Sequence, residues 1–239
     1  MRATVSRVVD PFLEEADRVL GADYSAMLYG SAARDDFIPG RSDINLMVVV
    51  DQLGAPILKS LSRAFAAWRK GSREPPLILS RAEWSRASDA FPIEITDMRL
   101  SYQVLRGSDP LQGVQVDRGD LRKALEREFR GKLLRLRQGY ATYAPEPAAL
   151  GTLGLESAAT ILVLLRALLA LTGKPVPRDA TELAIAAAGL VGAEPEHLLH
   201  VVRHRSDREW RCGAGEFENY MQAVEQAAGF VDQLQLGDQ

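Results

Sequence analysis

The stretch LYGSAARDDFIPGRSDINLMVVVD, from Leu28 to Asp51, carries the pattern that decides the fold. It begins with apolar residues, continues through Gly30-Ser31 and a polar, turn-rich loop, and ends in an apolar run. A glycine directly after a strand allows backbone N–H groups to approach an anion, and a serine adds a hydroxyl group. The dipeptide alone is a common turn, so a phosphate-binding role depends on the residues around it.

The strand predicted over Asp43–Val50 supplies the second part of the pattern. Strict alternation along this strand places Asp43 and Asn45 on one face, where two oxygen-bearing side chains can reach the same small volume. Glu94, on a strand predicted over Phe91–Met98, adds a third oxygen-bearing group. Mg²⁺ prefers oxygen ligands and substrate phosphates. Three such groups near a phosphate loop are typical of metal-dependent phosphoryl transfer.

Two regions with different patterning meet near residue 118. The first, residues 1–117, alternates strands and helices, which indicates an α/β (α+β) domain with a mixed sheet. Its predicted elements are a helix opened by Asp10-Pro11, strands at Ser25–Tyr29, Asp43–Val50, Leu77–Leu79, Phe91–Met98 and Tyr102–Leu105, and a helix from Pro56 to about Lys70. The second, residues 118–239, is predicted as an all-α helical bundle. Its predicted helices are Asp120–Tyr143, Glu156–Leu171, Thr181–Leu190, Pro195–His204 and Glu216–Leu234.

The composition argues against several classes of protein. The net charge of −3 argues against a surface built for nucleic acid. A single cysteine, Cys212, excludes an intrachain disulfide, and the N-terminus has no apolar signal segment, so we expect a cytoplasmic protein. The most apolar run, Ala158–Thr172, is too short to span a bilayer and contains Arg166. We therefore predict a buried bundle helix there and no membrane association.

The order of these motifs resembles the nucleotidyltransferase superfamily related to DNA polymerase beta. The family pattern of Gly-Ser, two acidic residues separated by an apolar one, and a later carboxylate reads here as Gly30-Ser31, Asp43-Ile44-Asn45-Leu46 and Glu94 in PIEIT. An α/β domain followed by a helical domain is similar to the aminoglycoside adenylyltransferases and to bacterial nucleotidyltransferase-domain proteins. The resemblance covers most of the chain.

The resemblance implies ATP or another NTP as the nucleotide, and Mg²⁺ as the cofactor. By this likeness, Gly30 and Ser31 hold the triphosphate, and Ser42 belongs to the same nucleotide-binding set. Asp43 becomes a metal ligand and catalytic residue. Glu94 becomes either a metal ligand or the base that accepts the proton of the acceptor hydroxyl. The implied reaction transfers a nucleoside monophosphate to a hydroxyl group of a small molecule or protein.

Asn45 occupies the position of the family's second aspartate in the metal site, and there the match breaks. An amide offers one neutral oxygen where a carboxylate offers two anionic ones. One Mg²⁺ held by Asp43 and the phosphates remains feasible, whereas losing a second ion would cost several powers of ten in rate.

Two hypotheses therefore stand: an impaired nucleotidyltransferase, and a catalytically inactive module that binds nucleotide or a protein partner. An engineered inactivating substitution at Asn45 would give the same sequence. Among nearby acids, Asp35 and Asp36 are predicted to be solvated, and Asp97, three residues from Glu94 on a regular strand, would face the opposite way.

The helical half adds two groups of polar residues. On the basic helix from Asp120, Lys132 and Arg135 are predicted to contact nucleotide phosphates across a cleft between the domains, while the other charges face water. His197, His200 and His204 form one stripe of the Pro195–His204 helix. A packing role is favoured for the histidines, and a metal site stays open as the alternative.

Overall fold

The chain divides into two compact units, Met1–Val116 and Asp117–Gln239. The computed structural model describes residues 2–34, 37, 42–72 and 74–236.

Within its described residues, the first unit combines four strands with helices. Its helices are α1 (Ala3–Leu20), α2 (Ala55–Ser60), α3 (Ser62–Trp68), α4 (Arg81–Trp84) and α5 (Pro92–Leu100), and a 3₁₀ turn covers Gly30–Ala33. Its strands are β1 (Tyr24–Tyr29), β2 (Asn45–Val50), β3 (Leu77–Ser80) and β4 (Tyr102–Arg106).

These strands form one sheet in the order β3-β2-β1-β4. β1 runs antiparallel to both β2 and β4, while β3 runs parallel to β2, so the predicted mixed sheet is confirmed. The alternation predicted for β2 is also observed. Leu46, Val48 and Val50 pack in the cluster that contains α1, while Met47 and Val49 pack with residues of α4 and α5 on the other side of the sheet.

The strand predicted over Phe91–Met98 is wrong, because this segment forms the helix α5. Proline at the first helical position suits a helix start, and Pro92 occupies that position. The apolar residues that looked like a strand face, Ile93 and Ile95, are buried from the helix instead, together with Met98. Alternation over only four residues, Ile93 to Thr96, is compatible with a strand or with a helix. Packing against the sheet selects the helix.

Two helix predictions in this unit are also corrected. Asp10-Pro11 does not open the first helix, which begins at Ala3 and keeps Pro11 in its interior. Apolar side chains on both sides of the proline, among them Val5 and Phe12, are fully buried, and their packing offsets the hydrogen bond that proline removes. The helix predicted from Pro56 is interrupted at Leu61 and forms α2 and α3.

The second unit consists of helices in the part that the structure describes. They are α6 (Arg118–Tyr143), α7 (Pro147–Leu171), α8 (Ala180–Val191), α9 (Pro195–His204) and α10 (Ala214–Gln233). The helix α7 lies at the centre, because it contacts α6, α8, α9 and α10.

The apolar helix α7 is longer than predicted. It has 25 residues, so by length and composition it could cross a membrane. The prediction that this segment is too short to span a bilayer is therefore wrong. Its residues Leu165 and Leu168 nevertheless lie in the core of the unit, and Arg166 is buried as well. Burial of six consecutive residues, Leu164 to Leu169, is typical of the central helix of a bundle.

Candidate functional site

The turn after β1 is the starting point of the candidate site. Gly30 has a φ of +73°, a conformation that side chains other than glycine rarely adopt. A Cβ atom at this position would lie 2.9 Å from Nδ2 of Asn45. The backbone conformation therefore favours glycine, and a Cβ atom here would also displace the Asn45 side chain.

The Gly30 N–H is already engaged, because it donates to the carbonyl of Ser101 over 3.3 Å. This bond ties the turn to the end of α5. Ser101 also donates its hydroxyl to the carbonyl of Ala33, 2.9 Å away, at the other end of the turn. A phosphate at this turn would have to use groups other than the Gly30 N–H, such as the hydroxyl of the half-buried Ser31.

The beginning of β2 lies beside this turn. Asn45 pairs with Tyr29 in the antiparallel ladder, which positions its side chain next to Gly30. Asp43 precedes the strand, which begins at Asn45 rather than at Asp43 as predicted. Asp43 is exposed, and it makes no hydrogen bond or ion pair within the described ranges. Its carboxylate is therefore open to a ligand, and Ser42 before it is half-buried.

The helix α5 brings carboxylates to the same region. Burial, followed by the negative charges of Glu94 and Asp97, raises the pKa of Tyr29 to about 12. The two acids therefore lie within electrostatic reach of the residue that immediately precedes Gly30. Glu94 is exposed on α5. Glu94 therefore lies within electrostatic reach of Tyr29, but it does so from a helix and not from the predicted strand.

A buried ion pair lies next to the turn and was not anticipated. Arg34 follows the turn directly, and its Nη1 lies 3.7 Å from Oδ2 of Asp97, with 5% and 10% of the two side chains exposed. Because three residues on a helix nearly complete a turn, Asp97 does not face away from Glu94 as predicted for a strand. The pairing with Arg34 explains why Asp97 is buried. An arginine closing the Gly-Ser-Ala-Ala turn was the sequence signal for this contact.

The other acidic candidates are Asp35 and Asp36, which lie outside the described residues. Whether either acid supplies the charge that Asn45 lacks stays a prediction.

The cationic candidates, Lys132 and Arg135, lie on α6 in the second unit. Lys132 is half-buried and Arg135 is exposed. Other basic side chains of α6 form ion pairs: Arg130 with Asp232 at 2.9 Å and Arg137 with Glu225. In the described part of this unit, no ion pair or hydrogen bond engages the side chains of Lys132 and Arg135. Their role in nucleotide binding stays a prediction.

Comparison with known proteins supports the fold. Among solved structures, the chain is similar to spectinomycin adenyltransferase AAD(9) from Enterococcus faecialis, a structure with ATP and spectinomycin. The TM-score is 0.59 at 13% sequence identity, over 94% of this chain and 98% of the other. No protein-family model matches the chain, and neither does any curated protein.

The chain therefore shares its fold with this adenyltransferase. At this identity the likeness concerns the fold alone: a mixed four-stranded sheet with helices, followed by a helical region. One fold can serve many functions, so the function depends on the chemistry of the site residues.

Proposed function

We propose that this chain binds ATP or another NTP with Mg²⁺ and transfers the nucleoside monophosphate to a hydroxyl group of a small molecule or protein. The observation that carries the proposal is the Gly30 turn, which holds Asn45 at close range next to the open carboxylate of Asp43. The adenylyltransferase-type fold supports it. The neighbour's ATP and spectinomycin make a nucleotide and a small-molecule acceptor the first candidates to test.

The donor set fits one magnesium ion. Mg²⁺ is commonly held by one or two carboxylates together with substrate phosphates. Asp43 is exposed and free of partners within the described ranges, so its carboxylate can serve as such a ligand without breaking a contact to any described residue. The Asn45 side chain can add one neutral oxygen. When bound, the ion would neutralise phosphate charge and polarise the phosphoryl group.

The protein residues have separable roles in this proposal. Ser31, with Ser42, Lys132 and Arg135, would bind the phosphates. Glu94 would accept the proton of the acceptor hydroxyl as the hydroxyl oxygen bonds to the α-phosphorus and pyrophosphate leaves. An exposed carboxylate suits this role because an incoming acceptor can reach it.

Asn45 lowers the expected rate. Replacing the family's aspartate by an amide removes one negative charge from the place where two ions would be bridged. The charge of Asp97 does not replace it, because Asp97 is buried against Arg34. We therefore propose that the chain is a slow enzyme, and that Asn45→Asp raises the rate of transfer by several powers of ten.

The test is calorimetric titration of ATP with Mg²⁺ into the native chain, Asn45→Asp and Asp43→Ala. Asp51→Ala is the matched control, since Asp51 is an exposed aspartate just past the other end of β2. We expect Asp43→Ala to weaken ATP binding by at least about tenfold, as for lost metal contacts generally, and Asp51→Ala to bind like the native chain.

Transfer is measured separately, with labelled ATP and a panel of hydroxyl-bearing acceptors that begins with spectinomycin. Faster label transfer by Asn45→Asp than by the native chain would support an impaired nucleotidyltransferase. ATP binding without transfer by either protein would favour the inactive nucleotide-binding module instead. If neither the native chain nor Asn45→Asp binds any nucleotide, the phosphate-binding role of the Gly30 turn is wrong.

A further inference from the structure

A cluster of side chains that could ligate a metal ion lies in the helical unit, and it shares no residue with the proposed nucleotide site. It consists of His200 on α9, Cys212 in the loop that follows, and Glu216 in the first turn of α10. The ligand atoms of these three residues all lie within 4.8 Å of one another. In the sequence, eleven residues separate His200 from Cys212, and three separate Cys212 from Glu216. This spacing matches no common zinc motif.

From these contacts we infer that His200, Cys212 and Glu216 bind one divalent cation of the zinc class. The donors are an imidazole nitrogen, a sulfur and a carboxylate oxygen, which are the three ligand types that Zn²⁺ takes in proteins. A thiolate and an imidazole favour zinc over Mg²⁺, which prefers oxygen ligands only. Three protein ligands leave the fourth tetrahedral position to water.

The distances fit a single ion. Because the three ligand atoms are at most 4.8 Å apart, an ion between them can lie within about 2.8 Å of each. Zinc bonds are about 2.0 to 2.3 Å long, so the side chains would have to shift by only about half an ångström. In a tetrahedral zinc site, a ligating nitrogen and a ligating oxygen lie about 3.3 Å apart. The distance between His200 Nε2 and Glu216 Oε2 is 3.2 Å, which is close to this value.

The His200 nitrogen provides an independent observation. Nε2 of His200 is a buried atom, and it has no aligned hydrogen-bond partner in the described part of the chain although Glu216 lies within ion-pair distance. Buried polar atoms are normally satisfied. A cation bound at the nitrogen lone pair, between the carboxylate and the sulfur, would satisfy this atom.

The loop that carries Cys212 is held firmly against α7. Cys212 donates its backbone N–H to the carbonyl of Pro147 at 2.9 Å, and its side chain is fully buried. A Cβ atom at Gly151 would lie 2.0 Å from the Trp210 carbonyl, so glycine is needed for this close approach. The sulfur is therefore positioned by the fold, which lowers the cost of assembling the site on binding.

The surroundings also orient the histidine. The Trp210 ring lies 5.4 Å from the His200 ring and stacks on His204 at 4.9 Å. The Nδ1 atom of His204 lies 2.7 Å from the carbonyl of His200, which fixes the end of α9. Contacts of this kind, which hold ligating residues in place, are a regular feature of metal sites.

The test uses the full chain, freed of metal with a chelator and dialysed against Zn²⁺ in the presence of excess Mg²⁺. We expect one zinc per chain by elemental analysis. With Co²⁺ in place of Zn²⁺, we expect the near-ultraviolet absorption that a thiolate ligand produces. Failure to retain zinc, or a cobalt complex without this absorption, overturns the inference.

Variants locate the site. Cys212→Ser should abolish the cobalt–thiolate absorption, and Glu216→Gln should weaken Zn²⁺ binding by at least about tenfold. Glu218→Gln is the matched control, because this exposed residue of the same helix hydrogen bonds to Tyr140 and lies outside the cluster. Native-like zinc binding by Glu216→Gln would overturn the inference. If Cys212→Ser does not fold, the native cobalt spectrum and Glu216→Gln decide alone. No step requires a nucleotide, so the result is independent of the proposed function.

Discussion

The buried pair of Arg34 and Asp97 gives a prediction about the stability of the first unit. Asp97→Asn keeps the shape of the side chain but removes its negative charge, and this leaves the guanidinium of Arg34 buried beside a neutral amide. At 3.7 Å and an effective dielectric constant of about 20, Coulomb's law gives an attraction of about 4 kcal/mol. Breaking one side of a buried pair typically costs about 3 to 5 kcal/mol, so we expect a loss of about 3 kcal/mol or more.

The same structure offers a control pair that differs in exposure. Asp51 pairs with Arg81 in the first unit, but 66% and 51% of these side chains are exposed. Exposed pairs contribute about 0 to 1 kcal/mol because water screens them and both side chains lose freedom. Asp51→Asn should therefore lower the free energy of unfolding by less than about 1 kcal/mol.

Urea unfolding followed by tryptophan fluorescence measures the difference. Two of the three tryptophans, Trp68 and Trp84, belong to the first unit, so a Trp210→Phe background restricts the signal to that unit. With a slope of about 1 to 3 kcal/mol per molar urea, Asp97→Asn should shift the midpoint down by about 1 to 3 M. Equal midpoints for Asp97→Asn and Asp51→Asn would refute the argument that burial decides the effect.

Two further predictions concern the turn and a helix start in the same unit. Alanine at Gly30 or at Gly113 would have to adopt a similar positive φ, so each substitution should lower the free energy of unfolding in urea by about 1 to 2 kcal/mol. Of the two variants, only Gly30→Ala places the new Cβ against a neighbouring side chain, that of Asn45. Gly30→Ala alone should therefore displace the Asn45 amide and weaken ATP binding, and equal ATP affinity for both variants would contradict this. Hydrogen bonds from the backbone and hydroxyl of Ser80 hold the pKa of Glu83 below its usual 4.5, so the capping box contributes stability above that pH and loses it as pH falls through the lowered pKa. NMR titration of Glu83 in the native chain and in Ser80→Ala, which keeps the backbone N–H, should show the pKa rising in the variant, and an unchanged pKa would exclude the contribution of the hydroxyl.

Much of the first unit could be predicted from local patterns. The alternation of β2 places its side chains correctly on the two faces of the sheet, because a strand repeats every two residues. The end of α1 at Gly21 follows from its φ of +64°, which glycine adopts readily. Helices of the second unit were also found, although α7 begins at Pro147, nine residues earlier than predicted. Short apolar stretches were less reliable, as α5 demonstrates.

By itself, the sequence determined the Gly-Ser turn between two strands, the mixed sheet and the change to helices near residue 118. These features depend on local periodicity and on glycine and proline, whose backbone preferences act within a few residues. Only the tertiary structure decided that Glu94 lies on a helix within electrostatic reach of Tyr29 and that Arg34 pairs with Asp97. It also decided that His200, Cys212 and Glu216 converge. Each of these contacts joins residues from different elements, and their positions depend on how helices pack, which no local pattern encodes.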